Sequence, residues 1–196
     1  SQRHAGYLLG WRTRSDRLRR TLTGAIAAVL FGCAAYGAAA APGPGDPAPD
    51  FTLPGVHRTK GDVGLTEDTG QVVWVDFWAT WCAPCKRSLP AFERIYRELG
   101  PRGFTVIGIN VDNRPNRVVG RFITGMNLSF PLVSDRNLVT SRAYGVQTMP
   151  TAFLIGADGR VLHVHTGYRG RDAKLIRELI LRALRERDKA AQQPDG

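Results

Sequence analysis

Apolar positions in this chain occur in two patterns, short unbroken runs and longer stretches repeating at three- and four-residue spacing. Val72-Val73-Trp74-Val75-Asp76-Phe77-Trp78 is apolar at every position but one. That is too continuous for a strand with one wet face and predicts a central strand covered on both sides. A helix follows to about Leu99, with Leu89, Phe92, Ile95, Tyr96 and Leu99 along one face. Phe104 to Val111 predicts a second buried strand. Asn116 to Gly125 predicts a helix carrying Val118, Val119, Phe122 and Ile123, Phe130 to Val133 a short strand, and Leu138 to Tyr144 a short helix. Ala152 to Ile155 and Arg160 to Thr166 flank the turn Gly156-Ala157-Asp158-Gly159 and predict an antiparallel hairpin, followed by a last helix from Arg171 to about Lys189. Upstream, Phe51-Thr52-Leu53 and Val63 with Leu65 predict short edge strands around Gly55, Gly61 and Gly64. Strands alternating with helices, then a hairpin and a helix, make an α/β domain with a mixed sheet covered on both faces.

Ahead of Asp50 the texture is different. An arginine-rich stretch to Arg20 precedes a weakly apolar run from Thr21 to about Ala41, and the Pro/Gly segment Pro42 to Pro49 follows. The order predicts an export signal or a single membrane anchor over residues 1–41, with the positive end kept in the cytoplasm and everything after it on the extracytoplasmic side. Three fates are open. Ala38 and Ala40 offer a cleavage site, Leu30-Phe31-Gly32-Cys33 is similar to a lipoprotein box except for the bulky Phe31, and an uncleaved anchor is the third. Residues 42–49 are then expected as a stiff, solvated linker, 50–189 as the folded domain and 190–196 as a flexible tail.

Composition narrows the class. Hydrophobic content of 43% with 22% charged residues is that of a globular chain, which excludes wholesale disorder and a multi-span membrane protein. The net charge of +10 raises nucleic acid as a partner. Much of that charge, however, sits in the first twenty residues and in the last helix, where Arg177, Arg182 and Arg185 alternate with Glu178, Glu186 and apolar Leu179, Ile180 and Leu184. That is a solvated helix face, and no nucleic-acid partner is expected.

The chemistry gathers at Trp81-Cys82-Ala83-Pro84-Cys85-Lys86. Two of the three cysteines stand here, one helical turn apart, where a buried strand gives way to a helix. Unpaired N–H groups and the positive end of the helix dipole favour a thiolate on Cys82. Cys85 returns to the same face within bonding reach. The arrangement suits a disulfide that opens and closes, with Cys82 attacking a partner's disulfide and Cys85 resolving the mixed disulfide. Lys86 and Arg87 add positive charge beside it. A structural zinc site would need four ligands; His163 and His165 alternate on one strand face, but paired histidines there are usually plain polar residues, and no metal is expected. Asp76 is a different matter, since an acid inside a hydrophobic strand is costly unless it is paired or working.

Together these residues resemble a known family. Val75 to Lys86 is similar to the active-site segment of thioredoxins, with Asp76 at the family's buried acid, Trp81 before the first cysteine and Pro90 five residues after the second. Tyr144 to Ile155 resembles the family's cis-proline loop at Met149-Pro150. Pro47 to Gly55, Gly108 to Asp112 and the insertion Phe130 to Val146 narrow the resemblance to the extracytoplasmic, membrane-tethered TlpA/ResA-like branch over residues 46–188. It implies a thioredoxin-like mixed sheet with helices on both faces, extra N-terminal strands and a central insertion. Cys82, Cys85 and Asp76 would be catalytic, with Asp76 serving Cys85 as proton relay. Trp81, Ala83, Pro84, Met149 and Pro150 would meet the substrate.

The activity implied is thiol-disulfide exchange, reducing specific protein disulfides in cytochrome c maturation or metal-site assembly with electrons from a membrane donor. A redox-active disulfide would serve in place of a cofactor, and the protein would act as a monomer. A redoxin-type peroxidase shares the Ala48-Pro49-Asp50-Phe51-Thr52-Leu53 opening but puts its reactive cysteine in another loop. A metallochaperone using the Cys pair is the other alternative.

Overall fold

The computed structural model describes residues 40–65 and 70–192. The export-signal or anchor reading, all readings of Cys33 and the end of the expected tail lie outside the described residues. Among the described residues no helix is long and apolar enough to cross a membrane.

Two buried strands carry the domain. β3 (Val72–Trp78) and β4 (Phe104–Asn110) are buried at every position, as their unbroken apolar runs require. They pair in parallel, Asp76 opposite Gly108, and β3 pairs on its other side with antiparallel β6 (Thr151–Ile155), Asp76 opposite Ala152. With β5 (Leu132–Ser134) and β7 (Val161–Thr166) at the edges, the five-stranded order is β5-β4-β3-β6-β7.

Strand alternation sorts side chains to two faces. Trp74 and Trp78 pack with residues of α1 (Cys85–Leu99), α2 (Asn116–Thr124) and α4 (Asp172–Ala191), including Leu89, Phe92, Ile123 and Ile180. Val73, Val75 and Phe77 face the other way, onto Phe51, Leu65 and Tyr144, the residue that ends the short α3 (Val139–Ala143). The Tyr144 hydroxyl donates to the carbonyl of Pro49 at 2.8 Å, fastening the N-terminal segment over that face.

Three expectations need correction. β1 (Thr52–Pro54) and β2 (Asp62–Gly64) form a separate two-stranded ribbon rather than edges of the main sheet; it meets β5 where the Val56 N–H donates to the Leu132 carbonyl at 2.8 Å. The Pro/Gly stretch 42–49 is not a free linker. β7 is an edge strand with unpaired backbone groups, and Gly45 N–H to Val161 O (2.8 Å), Val161 N–H to Asp46 O (2.9 Å) and Ala48 N–H to Gly159 O (2.9 Å) cover its start. Finally, α4 runs on to Ala191, because Ala190 and Ala191 are strong helix formers, so the expected tail begins inside the helix.

Candidate active site

The strand-to-helix junction forms as its residues dictate. β3 stops at Trp78, the Cys82 N–H closes a turn onto the Ala79 carbonyl at 3.1 Å, and Pro84, with φ of −62°, starts the first turn of α1 from the cap position. Its missing N–H costs nothing there. Cys82 and Cys85 are joined by a disulfide, Cα atoms 5.3 Å apart. Cys82 is 4% exposed and Cys85 fully buried, so an incoming partner meets Cys82 first. The Cys85 N–H donates to Cys82 Sγ at 3.2 Å. One of the unpaired groups of the helix end is thus aimed at the outer sulfur, which favours the thiolate when the pair is reduced.

Asp76 is fully buried, and neither carboxylate oxygen has a hydrogen-bond partner among the described residues. Burial alone pushes its pKa well above the ordinary carboxylate value. By alternation it shares the α1 face with Trp74 and Trp78, whose indole N–H groups likewise find no partner among the described residues. Its neighbours in register, Gly108 and Ala152, are small. A Cβ on Gly108 would come within 2.6 Å of Leu132 Cδ2 and 3.3 Å of Trp78 Nε1, so a side chain there would force Leu132 to move.

The remaining expected residues divide. Trp81 is 62% exposed, Ala83 is exposed and Pro84 half-buried, all on the Cys loop. The Met149–Pro150 peptide is cis and leads into β6, whose Thr151 pairs with Phe77, so this loop and the Cys loop share one edge of the sheet. His163 and His165 lie half-buried on β7, ring centroids 6.1 Å apart, with His165 Nε2 3.6 Å from Asp172 Oδ2. Burial lowers the pKa of His163, and repulsion from His165 adds to it. No group of three or more metal-capable side chains forms among the described residues.

One functional group escaped the sequence reading. Asp112, buried just beyond β4, accepts from the Thr80 N–H (2.7 Å), the Thr80 hydroxyl (3.1 Å) and Asn110 Nδ2 (2.9 Å). It pins the residue before Trp81 and so holds the Cys loop. An acid directly following a buried strand was the available signal, akin to the one inside a strand that marked Asp76.

A dithiol that closes to a disulfide at a helix N-terminus, on a mixed sheet with a cis-proline loop beside it, places this protein among the thiol-disulfide oxidoreductases of thioredoxin-like fold. The Redoxin family model matches residues 43–179. A thiol-disulfide oxidoreductase ResA from Halalkalibacterium halodurans is 35% identical over 136 residues, covering 69% of this chain and 74% of the relative. ResA from Geobacillus thermodenitrificans is 37% identical over 123 residues, 63% of this chain and 69% of its own. Among solved structures, one described as a putative thiol:disulfide interchange protein DsbE from Chlorobium tepidum superposes with a TM-score of 0.69 at 40% identity, covering 73% of this chain and 99% of that one. The chain belongs to the redoxin family, on its TlpA/ResA-like side.

Proposed function

We propose that this protein works at the extracytoplasmic face of a bacterial cytoplasmic membrane as a reductant of specific protein disulfides. Cytochrome c maturation or metal-site assembly is the setting, and a membrane donor restores the dithiol. The relatives named above support thiol-disulfide exchange, and the arginine-rich, apolar N-terminal sequence supports the location. The observation that carries the mechanism is the Cys85 N–H held on Cys82 Sγ at the start of α1.

Cys82 as thiolate attacks one sulfur of the partner's disulfide, forming a mixed disulfide and releasing the partner's other sulfur as a thiolate that takes up a proton. Cys85 then gives up its proton and attacks Cys82 Sγ. The Cys82–Cys85 bond forms, the mixed disulfide breaks, and the partner leaves with two thiols and two electrons. Asp76, the buried acid on the α1 face, carries the Cys85 proton; burial raises its pKa, which makes its carboxylate a stronger base toward that proton than an exposed aspartate would be. Trp81, Ala83, Pro84, Met149 and Pro150 form the surface on which the partner lies. The two thiols hold the two electrons themselves, so the reaction runs without a further cofactor, and the monomer suffices.

A Cys85→Ala variant tests this reading, because the mixed disulfide on Cys82 then has nothing to resolve it. Exported proteins with C-x-x-C-H or metal-binding cysteines should accumulate as covalent adducts, separable on non-reducing gels and released by dithiothreitol. Absence of such adducts sinks the proposal.

A further inference from the structure

We infer that the rim around the Cys pair docks a protein partner whose surface beside its disulfide is acidic. This deepens the reductase reading and rests on it.

The loops after β3, β4 and β5 and the loop before β6 all emerge at one edge of the sheet, because the first three strands are parallel and β6 runs against them. Between Val111 and Thr148 the chain carries five arginines, Arg114, Arg117, Arg121, Arg136 and Arg142, all exposed. The same stretch has two acids, Asp112 and Asp135, both buried and both consumed by structure: Asp112 holds Thr80, and Asp135 accepts the Thr140 and Ser141 N–H groups that open α3. Arg114 reaches no closer than 4.0 Å to Asp112, and the other four arginines have no carboxylate partner among the described residues.

Contacts tie this charge to the active site. Arg136 donates to the Asn113 carbonyl at 3.2 Å, next to the Asp112 that pins Thr80. Lys86, in the first turn of α1, sits with Nζ 5.5 Å from the centroid of the Phe122 ring, beside Arg121 on α2. At physiological salt a field reaches about 8 Å, so neighbouring cations on this side of the sheet add to one another's field on an approaching partner.

Apolar groups stand among them. Leu138 is 39% and Val139 64% exposed, at the turn that carries Arg136 and Arg142, and Trp81 projects beside Cys82. Leu138 also holds a left-handed backbone, φ 56°, which a leucine adopts only when its surroundings impose it. Apolar anchors ringed by cations fit an acidic protein surface with an apolar centre. An anionic membrane would fit the charge alone. It would also bury the sulfur that must meet a disulfide, so the protein partner is the better fit.

The test uses the reduced full chain and peptides of equal length, each with one intramolecular disulfide flanked by Glu, by Ser or by Lys. The Glu peptide should be reduced about tenfold faster than the Lys peptide at low salt, with the preference shrinking toward 0.3 M or so. In an Arg136→Glu, Arg142→Glu variant the preference should vanish or invert. This ratio is read within one protein, so a general loss of fold cannot imitate it. Equal rates with all three peptides, or a preference insensitive to salt, overturn the docking proposal while leaving the reductase reading intact. Phosphatidylglycerol vesicles that bind through these arginines, with no discrimination among the peptides, overturn it in favour of a membrane surface. A chain that reduces no disulfide overturns both.

Discussion

Replacing Asp76 by asparagine should shift stability in the variant's favour increasingly as pH rises. Burial holds the folded pKa of Asp76 above that of the unfolded chain, where a free aspartate titrates near pH 3.9 or so. Between the two values the folded form keeps its proton and the unfolded form does not, so raising the pH favours unfolding. The stability tied to this proton is complete below the unfolded pKa and is lost as pH climbs through the folded one. Its slope follows from linkage, about 1.4 kcal/mol per pH unit while folded Asp76 stays protonated and unfolded Asp76 is ionised. Asparagine carries no such proton, so its stability lacks this slope. The cost of burying an unpaired amide is the same at every pH and drops out of the comparison. Urea unfolding of both oxidised proteins at unit steps from about pH 5 to about pH 8 reads the difference directly. A gap between variant and parent that widens with pH by up to about 1.4 kcal/mol per unit is expected. Parallel pH curves would refute the reasoning, because they would mean that the carboxylate is solvated or paired in the fold.

Two further substitutions probe what surrounds the pair. Gly108→Ala puts a Cβ within 2.6 Å of Leu132 Cδ2 beside Asp76 and should cost about 1–3 kcal/mol in urea unfolding; a neutral result would show that the Leu132 side chain yields without penalty. Asp112→Ala leaves the Thr80 N–H, the Thr80 hydroxyl and Asn110 without their acceptor, and should cost about 2–4 kcal/mol and slow peptide-disulfide reduction, with Asp112→Asn recovering part of both. Equal rates for Asp112→Ala and the parent would separate that network from the Cys loop.

Several elements were legible because their cause is local. Helices α1, α2 and α4 declared themselves through apolar spacing, and β3 and β4 through unbroken runs, since burial on one side or on both leaves a distinct period. The Cys82–Cys85 pair was legible for a similar reason: one helical turn in sequence is bonding distance in space. What escaped depends on partners far along the chain. Asp112 acts on Thr80, 32 residues earlier. Pro42 to Pro49 looked like a linker because nothing in its composition reports that the edge of β7 lies beside it. Gly108 looked like any glycine in a strand until Leu132 and Trp78 closed around it.

The sequence by itself determined the α/β class, the order of most elements and the nearness of Cys82 to Cys85, because periodicity, chain direction and a three-residue spacing are properties of neighbours. Tertiary structure alone decided that the Asp76 carboxylate has no hydrogen-bond partner among the described residues, that Asp112 holds the loop before Trp81, and that Arg136 lies against the Asn113 carbonyl beside it. Desolvation and charge depend on what fills the space around a group, and that is settled only when distant strands come into register.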